Sequence, residues 1–346
     1  MSVAVPEAAV LSALGVAGVD DPAALLARFA ALWPEPALPA ELIAALTGAA
    51  DPALAVASLA RVWEQVPEAL ASVRGDLRQV CNLVAVLGAS PLVARFLLAD
   101  PAAWPLMLAP AMADTPIATL VPPPVMPATP SFEEIARVLR LFKRQRVLLI
   151  AIRDLLDLVP LEATTAALTA LAEDALEAAI AAVRARLAAD YGEVVAGGAP
   201  VGFVVLGMGK LGGGELNFSS DIDLVYLYGG DGVESAGGVR GRLSAREFFT
   251  RLAEDVTRAL HQATGEGFVF RVDLRLRPEG ANGPIVNSAA NALSYYESWG
   301  QTWERTAYLK ARPVAGDRAL GETFLGNLTP FVYRRYLDFA TVEDLK

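Results

Sequence analysis

The stretch Gly202-Phe-Val-Val-Leu-Gly-Met-Gly-Lys-Leu-Gly-Gly-Gly-Glu-Leu-Asn-Phe-Ser-Ser-Asp-Ile-Asp-Leu-Val-Tyr-Leu-Tyr228 decides the fold. Its apolar run Phe203–Leu206 predicts a buried strand, and a glycine-rich turn follows over Gly207–Gly214. A second strand is then opened by two acids, Asp221 and Asp223. Residues i and i+2 of a strand share a face, so both carboxylates point the same way while Ile222 and Leu224 point the other. Like charges on one face repel unless a cation lies between them. Hard divalent ions take such oxygen ligands and are often shared with substrate phosphates. A glycine turn lets backbone N–H groups approach a phosphate. Gly207, Gly209, Gly212 and Gly213 are therefore candidate phosphate-binding residues here. The plainer alternative is a tight turn followed by two surface aspartates.

Two phosphate-binding motifs are excluded. Gly207-x-Gly209-x-x-Gly212 has the spacing of a dinucleotide fingerprint, but that motif needs a helix and a returning strand before its acid. Only Gly214 to Ser220 separates the glycines from Asp221. A Walker loop needs Ser or Thr after its lysine, and Lys210 is followed by Leu211.

The chain has 346 residues, 54% of them hydrophobic and 20% charged, enough for two domains or for one with a helical appendage. A net charge of −10 disfavours nucleic acid as a partner. One cysteine, Cys81, and one histidine, His261, exclude a disulfide, a cysteine zinc cluster and a multi-histidine metal site. His261 falls in a helical pattern without a nucleophile motif nearby and reads as structural. Without a basic segment leading into an apolar run, and with charges recurring through the alanine-rich segments, neither a signal peptide nor a membrane span is expected. A cytoplasmic protein is the expectation.

Up to about residue 120 the sequence predicts short helices punctuated by proline. Asp21-Pro22, Asp51-Pro52, Ser90-Pro91 and Asp100-Pro101 each place an N-cap residue before a first-turn proline. Trp33, Trp63 and Trp104 are expected in the core. A proline-rich linker over 121–130 ends at a capping box, Ser131-x-x-Glu134. A helix follows over about 132–158, with Arg137, Arg140, Lys143, Arg144, Arg146 and Arg153 on a solvated face or turned towards a phosphate. A second helix spans about 165–189. Ser244-x-x-Glu247 opens another, to about Ala263. Gly267-Phe-Val-Phe-Arg-Val-Asp-Leu-Arg-Leu-Arg277 then predicts a strand over 268–276. It would place Arg271, Asp273, Arg275 and Arg277 on one face and Val272, Leu274 and Leu276 on the other. That face is either a self-satisfying salt network or a third metal carboxylate with guanidinium groups for phosphate oxygens. Residues 291–300 predict an aromatic helix, and 320–336 a helix interrupted by Pro330.

Gly209-Lys210, ten residues, then Asp221-x-Asp223, with Asp273 later, resembles the DNA-polymerase-β-like nucleotidyltransferase superfamily. Lys210 stands where that superfamily usually has serine or glycine. Longer motifs resemble the bacterial glutamine synthetase adenylyltransferase/adenylyl-removing enzyme family: GMGKLGGGELNFSSDIDL (207–224), FRVDLRLRPEG (270–280), YYESWGQTWER (295–305), KARPVAGD (310–317), LGASPLVARFLLADP (87–101) and PFVYRRYLDF (330–339). Gly214 departs from the pattern, where a larger residue, often arginine, is usual.

The resemblance implies an α+β fold. A nucleotidyltransferase core with a small mixed sheet is expected over 196–315, a helical region over 1–195 and a C-terminal helical segment over 316–346. The family's proteins carry two such modules in a longer chain. This chain reads as an N-terminal fragment bearing the adenylyl-removing one, with 343–346 as the first turn of a further helix. The implied activity is attack of inorganic phosphate on the adenylyl-tyrosine of glutamine synthetase, giving ADP and free tyrosine. Two Mg²⁺ ions on Asp221, Asp223 and Asp273 are implied, with Arg275, Arg277 and Lys210 on phosphate oxygens and Ser219 and Ser220 among the nucleotide- and phosphate-binding residues. Implied partners are adenylylated glutamine synthetase, uridylylated PII protein and ATP, ADP or phosphate. Forward adenylylation from ATP, and a non-catalytic module binding nucleotide or PII, are the alternatives.

Overall fold

Alternating burial around the two acids sets the architecture of the computed structural model, which describes residues 6–333 apart from 34, 36, 102–103, 105–107, 109–111, 113, 128–129 and 266. The tail from 334 on, including the end of the PFVYRRYLDF motif and the helical turn expected at 343–346, lies outside the described residues.

Contacts divide the chain into two units: residues up to Pro122 with Arg144–Thr164, and Pro123–Lys143 with everything from Thr165 on. The boundary expected at 195/196 is therefore corrected. Two long helices, α9 (Phe132–Leu155) and α10 (Leu161–Tyr191), have residues in both units. Nor are residues 316–333 a segment apart, because Phe324, Leu328 and Phe331 belong to the same core as Val204 and Leu206.

The first unit is helical. It contains α1 (Glu7–Val16), α2 (Pro22–Ala31), α3 (Ala40–Thr47), α4 (Pro52–Gln65), α5 (Pro67–Arg74), α6 (Leu77–Ala89), α7 (Pro91–Ala99) and α8 (Ile117–Leu120). Asp21 and Asp51 cap their helices as expected, accepting from the amides of Ala24 and Leu54, whereas Ser90 makes no side-chain cap. Trp104 is fully buried and donates to the carbonyl of Leu97. Trp33 and Trp63 are only half-buried, because the Arg74 guanidinium lies 5.9 and 5.1 Å from their ring centroids and keeps that corner polar. The solvated face expected on α9 is also corrected. Arg146 and Arg153 are buried, donating to Val121 O and to the carbonyls of Met112 and Thr115, respectively. Burying a guanidinium is tolerated when carbonyls replace its water. Among the described residues no single helix is long and apolar enough to cross a membrane.

The second unit is built on a mixed sheet. Its strands are β3 (Phe203–Gly207), β4 (Ile222–Tyr228), β5 (Val272–Asp273), β6 (Val286–Ser288) and β7 (Arg312–Gly316); β1 (Val195–Ala196) and β2 (Ala199–Pro200) form a separate small hairpin. β3 pairs antiparallel with β4 on one side and β7 on the other. The far edge of β4 is shared by two parallel partners, β5 at its start and β6 at its end. Val204, Leu206, Val225 and Leu227 face a layer formed by α13 (Ala289–Trp299), α14 (Thr302–Tyr308) and α15 (Arg318–Val332). The opposite face receives α12 (Ala245–His261), which opens with the expected Ser244/Glu247 capping box. Phe249 of α12 stacks on Phe203 and Tyr228, and Tyr226 hydrogen-bonds Thr257 at 3.0 Å. Pro330 lies inside the last turn of α15 and does not interrupt it earlier.

The strand expected over 268–276 is the largest correction within the sheet. Only Val272 and Asp273 are extended in the ladder, and the chain turns from Leu274 onwards. The last charge of the alternating run serves the turn and not a strand face: the Arg277 side chain hydrogen-bonds the carbonyls of Leu274, Ala281, Gly283 and Pro284.

Candidate active site

β4 positions the first two acids through its parity. Ile222 and Leu224 are fully buried, so Asp223 lies on the face opposite to theirs, half-buried, and Asp221 sits exposed just before the strand. β5 supplies the third acid. The parallel register places Asp273 directly opposite Asp223 and Val272 opposite Ile222. Facing positions of neighbouring strands lie about 5 Å apart, so these two side chains share one small region. Asp273, Asp221 and Asp223 are thus brought together, as the sequence implied, although by a two-residue strand and not a long one.

Two arginines occupy the outer acids. Arg271 pairs with Asp221 and also donates to Ser219 O at 3.1 Å. Arg275 grips Asp273 through Nε (3.0 and 2.8 Å to the two oxygens) and Nη2 (2.5 Å), while its own amide donates to the same carboxylate at 2.8 Å. This grip holds Asp273 below the usual carboxylate range. Asp223 has no ion pair among the described residues. Burial, then the charges of Asp273 and Asp221, push its pKa up. A carboxylate crowded by two others attracts a cation. Among the described residues no three carboxylate, imidazole or thiolate groups already stand in a metal-binding arrangement. The donor set nonetheless suits a hard divalent ion, which Asp221 and Asp273 could meet by turning away from their arginines.

The glycine turn lies against these acids. Gly209 has φ +50°, and a Cβ there would sit 3.2 Å from Asp223 Oδ2. Gly209–Gly212 forms a single short helical turn, α11, instead of an open loop. A Cβ on Gly212 would run into the carbonyl oxygens of Lys310 and Gly207, so the turn can pack only as glycine.

A family model described as glutamate-ammonia ligase adenylyltransferase matches residues 80–327. The chain belongs to the glutamate-ammonia ligase adenylyltransferase family. Relatives named bifunctional glutamine synthetase adenylyltransferase/adenylyl-removing enzyme include one from Xanthomonas campestris pv. campestris, 46% identical over 231 residues, or 65% of this chain and 24% of the relative. Another, from Pseudomonas aeruginosa, is 47% identical over 216 residues, 62% of this chain and 22% of its own length. A third, from Thioalkalivibrio sulfidiphilus, is 48% identical over 214 residues, 61% and 22% respectively. The chain spans about a quarter of the length of these relatives.

Within this adenylyltransferase-family core the remaining candidates have distinct placements. Lys210 is exposed on α11. Gly213 is also exposed, and a Cβ there would lie 3.1 Å from the Glu215 carboxylate, which pairs with Lys310. Ser219 contributes its carbonyl to Arg271, and Ser220 bonds the Asn217 side chain. Gly207 ends β3, paired with Leu224 and Arg312. Arg277 does not join the anion-facing group. Its guanidinium makes five hydrogen bonds to four main-chain carbonyls of the 274–284 turn, and burial lowers its pKa. Gly214, the departure from the family pattern, has φ +74° and open space around it, so it replaces no packed side chain.

Sequence reasoning missed the supports. Arg312 is held by Glu173 at 2.5 Å and donates to Gly212 O, while Glu177 accepts from the amide of Gly316. Nothing in the spacing of α10 marks these two glutamates among its many acids. His261 reads from the sequence as structural, and its contact with β5 is visible only in three dimensions.

Proposed function

We propose that this chain removes AMP from the adenylyl-tyrosine of glutamine synthetase by phosphorolysis, releasing ADP and unmodified enzyme. The observation that carries this is Asp273 in register with Asp223, beside Asp221, with exposed Arg275 and Lys210 near the glycine turn. Asp221, Asp223 and Asp273 would hold two Mg²⁺ ions, which would neutralise the phosphates and favour in-line displacement.

Arg275, 80% exposed, can leave Asp273 and take phosphate oxygens with its planar fork. A phosphate oxygen forms the new bond to the adenylyl phosphorus while the bond to the tyrosine oxygen breaks, and the phenol leaves with the proton that hydrogen phosphate gives up, relayed by water. Inorganic phosphate is already anionic at neutral pH, so the step needs charge neutralisation more than a strong base. A tyrosine hydroxyl, with a pKa of about 10, would need deprotonation to attack ATP. That contrast favours removal over addition. On this reading the protein acts in the cytoplasm, with adenylylated glutamine synthetase as its substrate and uridylylated PII as its activating partner.

The test incubates the chain with adenylylated glutamine synthetase and Mg²⁺, with and without phosphate, and identifies the nucleotide by chromatography. Phosphate-dependent ADP is expected. AMP as the main product, or efficient adenylylation of unmodified enzyme from ATP, would overturn the assignment.

A further inference from the structure

We infer that His261 is a positioning residue for the third carboxylate: its imidazole holds the Val272 amide and so keeps Asp273 opposite Asp223. Nδ1 of His261 accepts from Val272 N–H at 3.1 Å. As the acceptor in this bond, that nitrogen offers its lone pair to the amide.

β5 needs such a tether. It is two residues long and lies at the edge of the sheet, where an unsupported strand frays. Its inner side is held by β4, with Ile222 N donating to Arg271 O at 2.9 Å. Its approach is stitched to the end of α12, because Val269 N and Phe270 N both donate to Leu260 O, at 2.9 and 3.0 Å. His261 is the last residue of that helix and extends the same seam by one side-chain bond, up to the residue before Asp273. α12 itself is a rigid reference. Phe248, Phe249, Leu252, Val256 and Leu260 are fully buried, and Thr257 is bonded to Tyr226 of β4. The placement of Asp273 relative to Asp223 is therefore fixed twice from β4: directly through the ladder, and indirectly through α12 and His261. Acids that share ions or substrate oxygens must be held to a fraction of an ångström, and a misplacement of about 1 Å can cost on the order of a hundredfold.

The inference rests on the proposed function for its kinetic and Mn²⁺ readouts, and the exchange readout is independent of it. His261→Leu keeps the bulk and removes the acceptor. His261→Asn puts Oδ1 where Nδ1 stands and keeps it. Three measurements are made on each variant and the unsubstituted chain: amide hydrogen exchange at Val272, Mn²⁺ affinity by electron paramagnetic resonance, and kcat and KM for adenylylated glutamine synthetase. In His261→Leu, exchange at Val272 should rise and Mn²⁺ affinity should fall, each about tenfold. kcat should fall tenfold or more while KM stays within about twofold. His261→Asn should match the unsubstituted chain in all three. A folded His261→Leu protein with unchanged exchange, Mn²⁺ affinity and kcat overturns the inference. So does a folded His261→Asn protein with raised exchange at Val272 and lowered Mn²⁺ affinity, a comparison with the unsubstituted chain that stands even if the leucine variant fails to fold. If the unsubstituted chain releases no ADP, the proposed function fails, while exchange at Val272 still decides the role of His261.

Discussion

Replacing Arg277 separates two jobs that an arginine beside a phosphate site can perform. Its guanidinium makes five hydrogen bonds to the carbonyls of Leu274, Ala281, Gly283 and Pro284. Charge-assisted bonds each contribute about 1.5–3 kcal/mol when buried, but these carbonyls can rehydrate once released, so Arg277→Ala should cost about 2–4 kcal/mol. For a unit of this size that corresponds to a fall in Tm of about 4–16 °C. Arg277→Lys keeps the charge but lacks the planar fork and should recover only a minor part of the loss. Because the turn begins one residue after Asp273, kcat for ADP release should fall in both variants, with KM for phosphate nearly unchanged. Calorimetric melts and a phosphate titration provide the two readouts. A Tm within about 1 °C of the unsubstituted protein, together with a raised KM for phosphate, would refute the structural role and return Arg277 to the anion.

Further outcomes follow from the same geometry. Asp221→Asn or Asp223→Asn should abolish ADP release without unfolding the protein, because both acids lie outside the buried core; wild-type turnover in either would remove the basis for a two-ion site. Asp223→Asn should also stabilise the ion-free protein at pH 7. Its folded pKa is raised by burial and by two neighbouring acids, so its favourable contribution is complete below the unfolded value and lost as pH rises through the folded one. Denaturant melts at pH 7 and near pH 3 should therefore show a gain at pH 7 that shrinks in acid, and an equal gain at both would contradict it. Arg275→Ala should raise KM for phosphate severalfold and leave Tm almost unchanged, since its side chain is 80% exposed; an unchanged KM would exclude it as an anion ligand. Gly212→Ala should cost about 3 kcal/mol by forcing α11 away from the Lys310 carbonyl, and an unshifted denaturation midpoint would show that the turn can yield.

Much of the centre was legible because each signal there is local. Two apolar runs around a glycine turn predicted β3 and β4, and strict parity put Asp223 opposite to Ile222 and Leu224. Capping boxes at Ser131 and Ser244 gave helix starts that the structure reproduces. Alternation misled at 268–277, where the last arginine of the run folds back onto its own turn and serves no strand face. The α9 arginines misled for a related reason: sequence polarity marks a solvated face, whereas Arg146 and Arg153 find their oxygen partners in main-chain carbonyls. The pairing of Asp223 with Asp273 joins positions separated by half a hundred residues, and only the parallel register reveals it.

The guanidinium groups on the outer acids also determine what an approaching anion encounters. Three bare carboxylates in a protein of net charge −10 would repel a phosphate and slow its capture, most strongly in dilute salt. With Arg271 and Arg275 in place, at 55% and 80% side-chain exposure, the outermost charges an incoming anion meets are positive. Long-range repulsion is then largely cancelled at the entrance, and within the Debye length of about 8 Å at physiological salt the two arginines dominate the last approach. Capture of phosphate should accordingly depend only weakly on ionic strength. Neutralising either arginine should turn that flat dependence into one in which added salt speeds capture.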